Sequence, residues 1–131
     1  MFELYTLGIS DETLKTMIEI TPAINDLSEK EINEKIIILK NILCSDNQIV
    51  NIISSNPNYL IRTNTEITEL IKTLLEYKFD TLNILFDSNP YILNLQPYEI
   101  KKYIDEKISN SNQLDDIIDE LDSNPYLFNE M

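Results

Sequence analysis

Apolar residues along this chain fall in short helical stripes, and the stripes recur. Leu14, Met17 and Ile18 are spaced i, i+3, i+4, as are Ile49, Ile52 and Ile53, and again Leu82, Leu85 and Phe86. That spacing gathers three side chains on one face of an α-helix. Ile117, Glu120 and Leu121 repeat it with an acid in the middle. A second set, Ile32 with Ile36, Ile67 with Ile71 and Ile100 with Ile104, stands four apart and predicts a further helix in each of the first three units. Pro22, Pro57, Pro90 and Pro125 follow the first stripes at spacings of 35, 33 and 35 residues. A proline cannot donate the next helical hydrogen bond, and its ring disfavours helical backbone in the preceding residue. Each unit therefore reads as helix, proline corner, short apolar turn, second helix.

The polar positions agree with this reading. Ser28 with Glu31, Ser45 with Gln48 and Thr63 with Glu66 have the spacing of capping boxes, in which each side chain satisfies a free N–H at a helix start. Pro97 suits a first helical position, where its missing N–H costs nothing. The predicted helices are 11–20, 29–43, 46–54, 65–77, 80–87, 97–108 and 112–122. They form a single all-α domain, residues 1–131. It is a short helical-repeat solenoid of about four proline-anchored helix-pair units, approximately 4–43, 44–77, 78–108 and 109–131. One pair cannot bury its stripes alone, so the units must stack. Ile18, Ile53, Phe86, Ile36, Ile71 and Ile104 are expected between them. Ser55-Asn56-Pro57, Ser88-Asn89-Pro90 and Ser123-Asn124-Pro125 share one tripeptide. It reads as a helix stop whose Ser and Asn satisfy local backbone groups. Tyr59, Tyr91 and Tyr126 beside these prolines are expected to pack in the core or corners.

The residues around the prolines resemble the repeat of the mitochondrial transcription termination factor family. The resemblance rests on Leu7-Gly8-Ile9-Ser10-Asp11 with Leu14, Ile18 and Pro22-Ala23-Ile24. It is carried further by Ile49, Ile52, Ile53, Pro57, Tyr59 and Leu60, and by Leu82, Leu85, Phe86, Pro90, Ile92 and Leu93. It implies two α-helices per unit with a 3₁₀ turn after the proline. Family members that bind nucleic acid use a longer array with a basic concave surface. Here Arg62 is the sole arginine, and Lys15, Lys35, Lys40, Lys72, Lys78, Lys101, Lys102 and Lys107 do not recur at one repeat position.

Composition narrows the chemistry. The 131 residues include no histidine, one glycine and one cysteine. Histidine-based catalysis, glycine-rich phosphate loops, disulfides and Cys-type zinc sites are thereby excluded. Cys44 reads as a small core residue. The start, Met1-Phe2-Glu3-Leu4, lacks the pattern of a signal peptide, and no apolar run is long enough to span a bilayer. A cytoplasmic protein is expected.

Net charge is −13, a field that repels phosphate backbones and anionic membranes. The last unit carries Asp115, Asp116, Asp119, Glu120, Asp122 and Glu130 with no cation. Asp115/Asp119 and Asp116/Glu120 are like-charge i, i+4 pairs that mildly oppose a helix. A solvated cap on a terminal repeat would explain them, and so would a docking face. The sequence thus points to a non-catalytic acidic protein-interaction module, an inhibitor or nucleic-acid mimic. It would meet a basic protein surface through Asp115, Asp116, Asp119, Glu120 and Asp122. No metal or other cofactor is expected, and nucleic acid and membranes are disfavoured as partners. The alternative is a nucleic-acid-binding protein resembling transcription termination factors.

Overall fold

Each proline sets the same backbone event. In the computed structural model, which describes all 131 residues, Thr21, Asn56, Asn89 and Asn124 end four helices with φ between −132° and −142° and ψ between 73° and 86°. This backbone has left the helical region, which the following proline disfavours. A 3₁₀ corner then begins at every proline: Pro22–Asp26, Pro57–Ile61, Pro90–Asn94 and Pro125–Glu130. Eight α-helices and these four corners make up the fold: α1 (Phe2–Leu7), α2 (Asp11–Ile20), α3 (Glu29–Asn41), α4 (Asp46–Ser55), α5 (Asn64–Glu76), α6 (Leu82–Ser88), α7 (Pro97–Ser109) and α8 (Leu114–Ser123).

The elements stack in three rows. The helices before the prolines form one row, in which α2 packs on α4 and α4 on α6. The helices after the corners form a second, with α1 on α3, α3 on α5 and α5 on α7. The corners form a third, each against the next. Twenty-nine buried apolar residues run through all units as one core. Ile53, Phe86, Ile36, Ile71 and Ile104 lie in it as expected, and so does Cys44, whose thiol burial pushes up to about 11. Ile18 is only partly buried, because α2 is the first helix of its row and one flank has no neighbour.

All three predicted capping boxes form. At α7 the Glu99 carboxylate accepts from the Gln96 N–H, and Pro97 occupies the first turn. The predicted set lacked α1. It has no side-chain cap of its own. The carboxylate of Glu29 accepts from Phe2 N–H and Glu3 N–H instead, a contact from 26 to 27 residues away.

The joints between units are also equivalent. Gly8, Leu43, Lys78 and Ser111 are all left-handed, with φ of 109°, 72°, 74° and 70°. They stand 35, 35 and 33 residues apart. The next residue's N–H reaches back to the helix in each case: Ile9 to Leu4, Cys44 to Leu39, Phe79 to Leu74 and Asn112 to Lys107, at 3.0–3.2 Å. These are Schellman closures, whose apolar partner is buried at Ile9, Cys44 and Phe79. The equivalence makes α1 the second helix of a further, partial unit at the N-terminal side.

The Ser-Asn-Pro motif does more than stop a helix. Asn56 Nδ2 donates to the Pro90 carbonyl at 3.0 Å and to Asn94 Oδ1 at 3.1 Å. Asn89 Nδ2 donates to the Pro125 carbonyl and to Asn129 Oδ1, both at 3.0 Å. Each buried amide thus ties one corner to the next, and only Asn89 Oδ1 also accepts locally, from Tyr91 N–H. Asn124, at the same repeat position, is exposed. The tyrosines divide by register. Tyr59 stands two residues after its proline, is buried, and donates to the Lys35 carbonyl at 2.6 Å. Tyr91 and Tyr126 stand one residue after theirs and are exposed, so the expected packing in the core or corners holds for Tyr59 and not for these two.

Candidate functional site

The five acids named as a docking face all lie on α8 and are all exposed. Asp115 and Asp116 occupy its first turn, where the helix dipole favours negative charge. Their position offsets the like-charge repulsion with Asp119 and Glu120, so α8 needs no functional compensation for its acids. Asp122 titrates above the usual carboxylate range, chiefly because neighbouring protein partly desolvates its carboxyl and then through the charges of Asp80 and Asp119. Glu120 shows what this face is. Its equivalents in the other units, Met17, Ile52 and Leu85, are at most 2% exposed. At the same position the last unit places a carboxylate in water.

Charge is divided between the two helical rows. The row before the prolines (α2, α4, α6, α8) holds ten acids and one cation, Lys15. The other row includes α3, α5 and α7, and these helices hold seven of the ten cations against nine acids. Lys30, Lys40, Lys72, Lys101 and Lys102 are exposed there. Lys107 lies 5.4 Å from the centre of the Tyr103 ring, a cation–π distance. Lys35 is buried and donates to Asn64 Oδ1 at 2.7 Å. Burial pulls its ammonium below the usual lysine range, against the charges of Glu34, Glu31 and Glu66. The cations looked scattered in the sequence because they share a row without sharing a register; summing charge by helix type is the signal that finds them.

Arg62 is not available to a ligand. Its guanidinium is buried and donates to the carbonyls of Leu93 and Leu95 in the next unit, with Glu66 as its ion-pair partner. No group of three or more acids or cysteines is arranged to hold a metal ion. No helix is long and apolar enough to cross a membrane.

The same units decide the family. The mTERF family model matches residues 2–115, from α1 to the second residue of α8. The chain belongs to the mTERF family. No curated protein matches the chain. Of the five candidate acids, only Asp115 lies within the residues matched to mTERF; Asp116, Asp119, Glu120 and Asp122 lie beyond them.

This membership overturns the partner expectation. mTERF proteins bind nucleic acid, so the expectation that nucleic acid is disfavoured as a partner does not hold. The physical reason lies in the averaging. Net charge sums the whole surface, and here the row containing α8 carries most of the negative excess. The row containing α3, α5 and α7 is close to neutral and carries the exposed lysines.

Proposed function

We propose that this protein is a non-catalytic nucleic-acid-binding repeat module. It presents the α3–α5–α7 row to the phosphate backbone and turns the acidic row away. Membership of the mTERF family carries the reading. The concentration of seven of the ten cations on α3, α5 and α7 supports it and selects the face. Phosphate contacts by lysine release counterions, so they supply affinity without sequence information and weaken as salt rises. With five exposed lysines on this row, the salt slope for a single strand should reach no steeper than about −3.5. The acidic row contributes repulsion and restrains non-specific association.

Fluorescence anisotropy with labelled oligonucleotides, titrated between low and physiological salt, tests this. Replacing Lys72, Lys101 and Lys102 by Gln should weaken binding and flatten the salt slope. Replacing Asp115, Asp116, Asp119 and Glu120 by Asn or Gln should strengthen binding by reducing long-range repulsion. Equal affinity for the wild type and the lysine variant would remove the assigned face.

A further inference from the structure

Tyr98 is the most exposed aromatic residue on α7, with 69% of its surface open. It follows Pro97 in the first turn. Lys101 and Lys102 stand three and four residues later, on the same face of the helix. Both are exposed, and neither has an acid within 4.0 Å; the ion pairs in the protein are those of the N-terminus with Glu29 and Arg62 with Glu66. Three open grooves meet at Tyr98. One runs along α7 past Lys101 and Lys102, one crosses toward Thr73 and Tyr77 at the end of α5, and one passes Lys102 toward the last corner. Glu76, Glu99, Asp105, Glu106 and Glu130 also line these grooves, so attraction for phosphate is confined to the two ammoniums.

We infer that Tyr98, Lys101 and Lys102 form a binding site for single-stranded nucleic acid, in which an unpaired base stacks on the Tyr98 ring and the flanking phosphates meet the two ammoniums. This deepens the proposed function and rests on it. A phenol ring held largely in the open offers a face that any unpaired base can cover. A duplex keeps its bases stacked on each other and cannot use that face without extruding one. It also brings a higher charge density toward the bordering acids, while two adjacent lysines contact only a short run of phosphates. A single strand can follow the shallow grooves around Tyr98 and place phosphates selectively.

Anisotropy titration at low salt with a labelled twenty-nucleotide oligothymidylate and a labelled twenty-base-pair duplex separates the outcomes. The single strand should bind more tightly than the duplex. Tyr98→Ala should weaken it about ten-fold or more, the scale of one stacked base, while Tyr98→Phe should retain most of the affinity. Circular dichroism confirms that the exposed substitutions leave the helices intact. If the duplex binds at least as well and Tyr98→Ala changes nothing, the site is refuted while nucleic-acid binding itself stands. If neither oligonucleotide binds, both the site and the proposed function fail.

Discussion

Asn56, Asn89 and Asn124 offer an experiment with its control built in. All three stand between a serine and a proline, at the same repeat position and with nearly the same backbone angles. Asn56 is 2% exposed and makes two hydrogen bonds to the next unit, to the Pro90 carbonyl and to Asn94. Asn56→Ala removes both donors. Each lost bond costs about 0.5–1.5 kcal/mol net, and a buried carbonyl left without a partner adds roughly 1–3 kcal/mol. The expected loss is therefore about 2–6 kcal/mol. Asn89→Ala should cost at least as much, because its side chain also accepts from Tyr91 N–H. Asn124→Ala should stay within about 0.5 kcal/mol, as an exposed substitution away from any network. Urea unfolding followed by circular dichroism measures all three. Equal losses for Asn56→Ala and Asn124→Ala would show that the asparagine serves its own helix end and does not couple neighbouring units.

The other expectations concern the joints, the buried arginine and pH. Leu43→Gly should stabilise the fold by about 0.5–1 kcal/mol: left-handed backbone costs a non-glycine residue roughly 1–2 kcal/mol, and the added unfolded-state entropy of glycine returns part of that. Thermal unfolding would show it, and a lower midpoint would contradict the strain assigned to this joint. Arg62→Met should destabilise by roughly 2–4 kcal/mol, since the Leu93 and Leu95 carbonyls lose a charged donor. Arg62→Lys should recover only part of this, because an ammonium cannot reproduce the planar fork. Asp122 has a folded-state pKa raised above its unfolded value, so its protonation favours the fold at acid pH and that stabilisation is lost as pH rises through the folded value. Asp122→Asn should accordingly stabilise the protein at neutral pH and reduce the gain seen on acidification from there, as read by denaturant midpoints across pH.

The parts of the fold legible in the sequence are those with local causes. A proline four residues after an apolar stripe ends a helix whatever surrounds it, and a hydroxyl three residues before a carboxylate caps one. The parts that were not legible have distant partners. Helix α1 is capped by Glu29, and Asn56 and Asn89 spend their amides on corners 34 to 40 residues ahead. The joints carry Leu43, Lys78 and Ser111 where glycine would announce a left-handed turn. Tyr91 and Tyr126 differ from Tyr59 by one register position, enough to move a side chain from core to solvent. Arg62 was legible only as the sole arginine, because its carbonyl partners lie in the neighbouring unit. The candidate acids were visible as a cluster, but that Glu120 takes the repeat position of buried Met17, Ile52 and Leu85 is seen only once the units are stacked.

The division of charge between the two rows is tested most directly by nuclear magnetic resonance. Backbone amide shifts of the ¹⁵N-labelled protein would be followed as an oligothymidylate is added at low salt. The perturbations should concentrate on α5 and α7, around Lys72, Tyr98, Lys101 and Lys102, and leave α4, α6 and α8 unchanged. Perturbations centred on α8 and the row before the prolines, or none at any oligonucleotide concentration, would contradict the account.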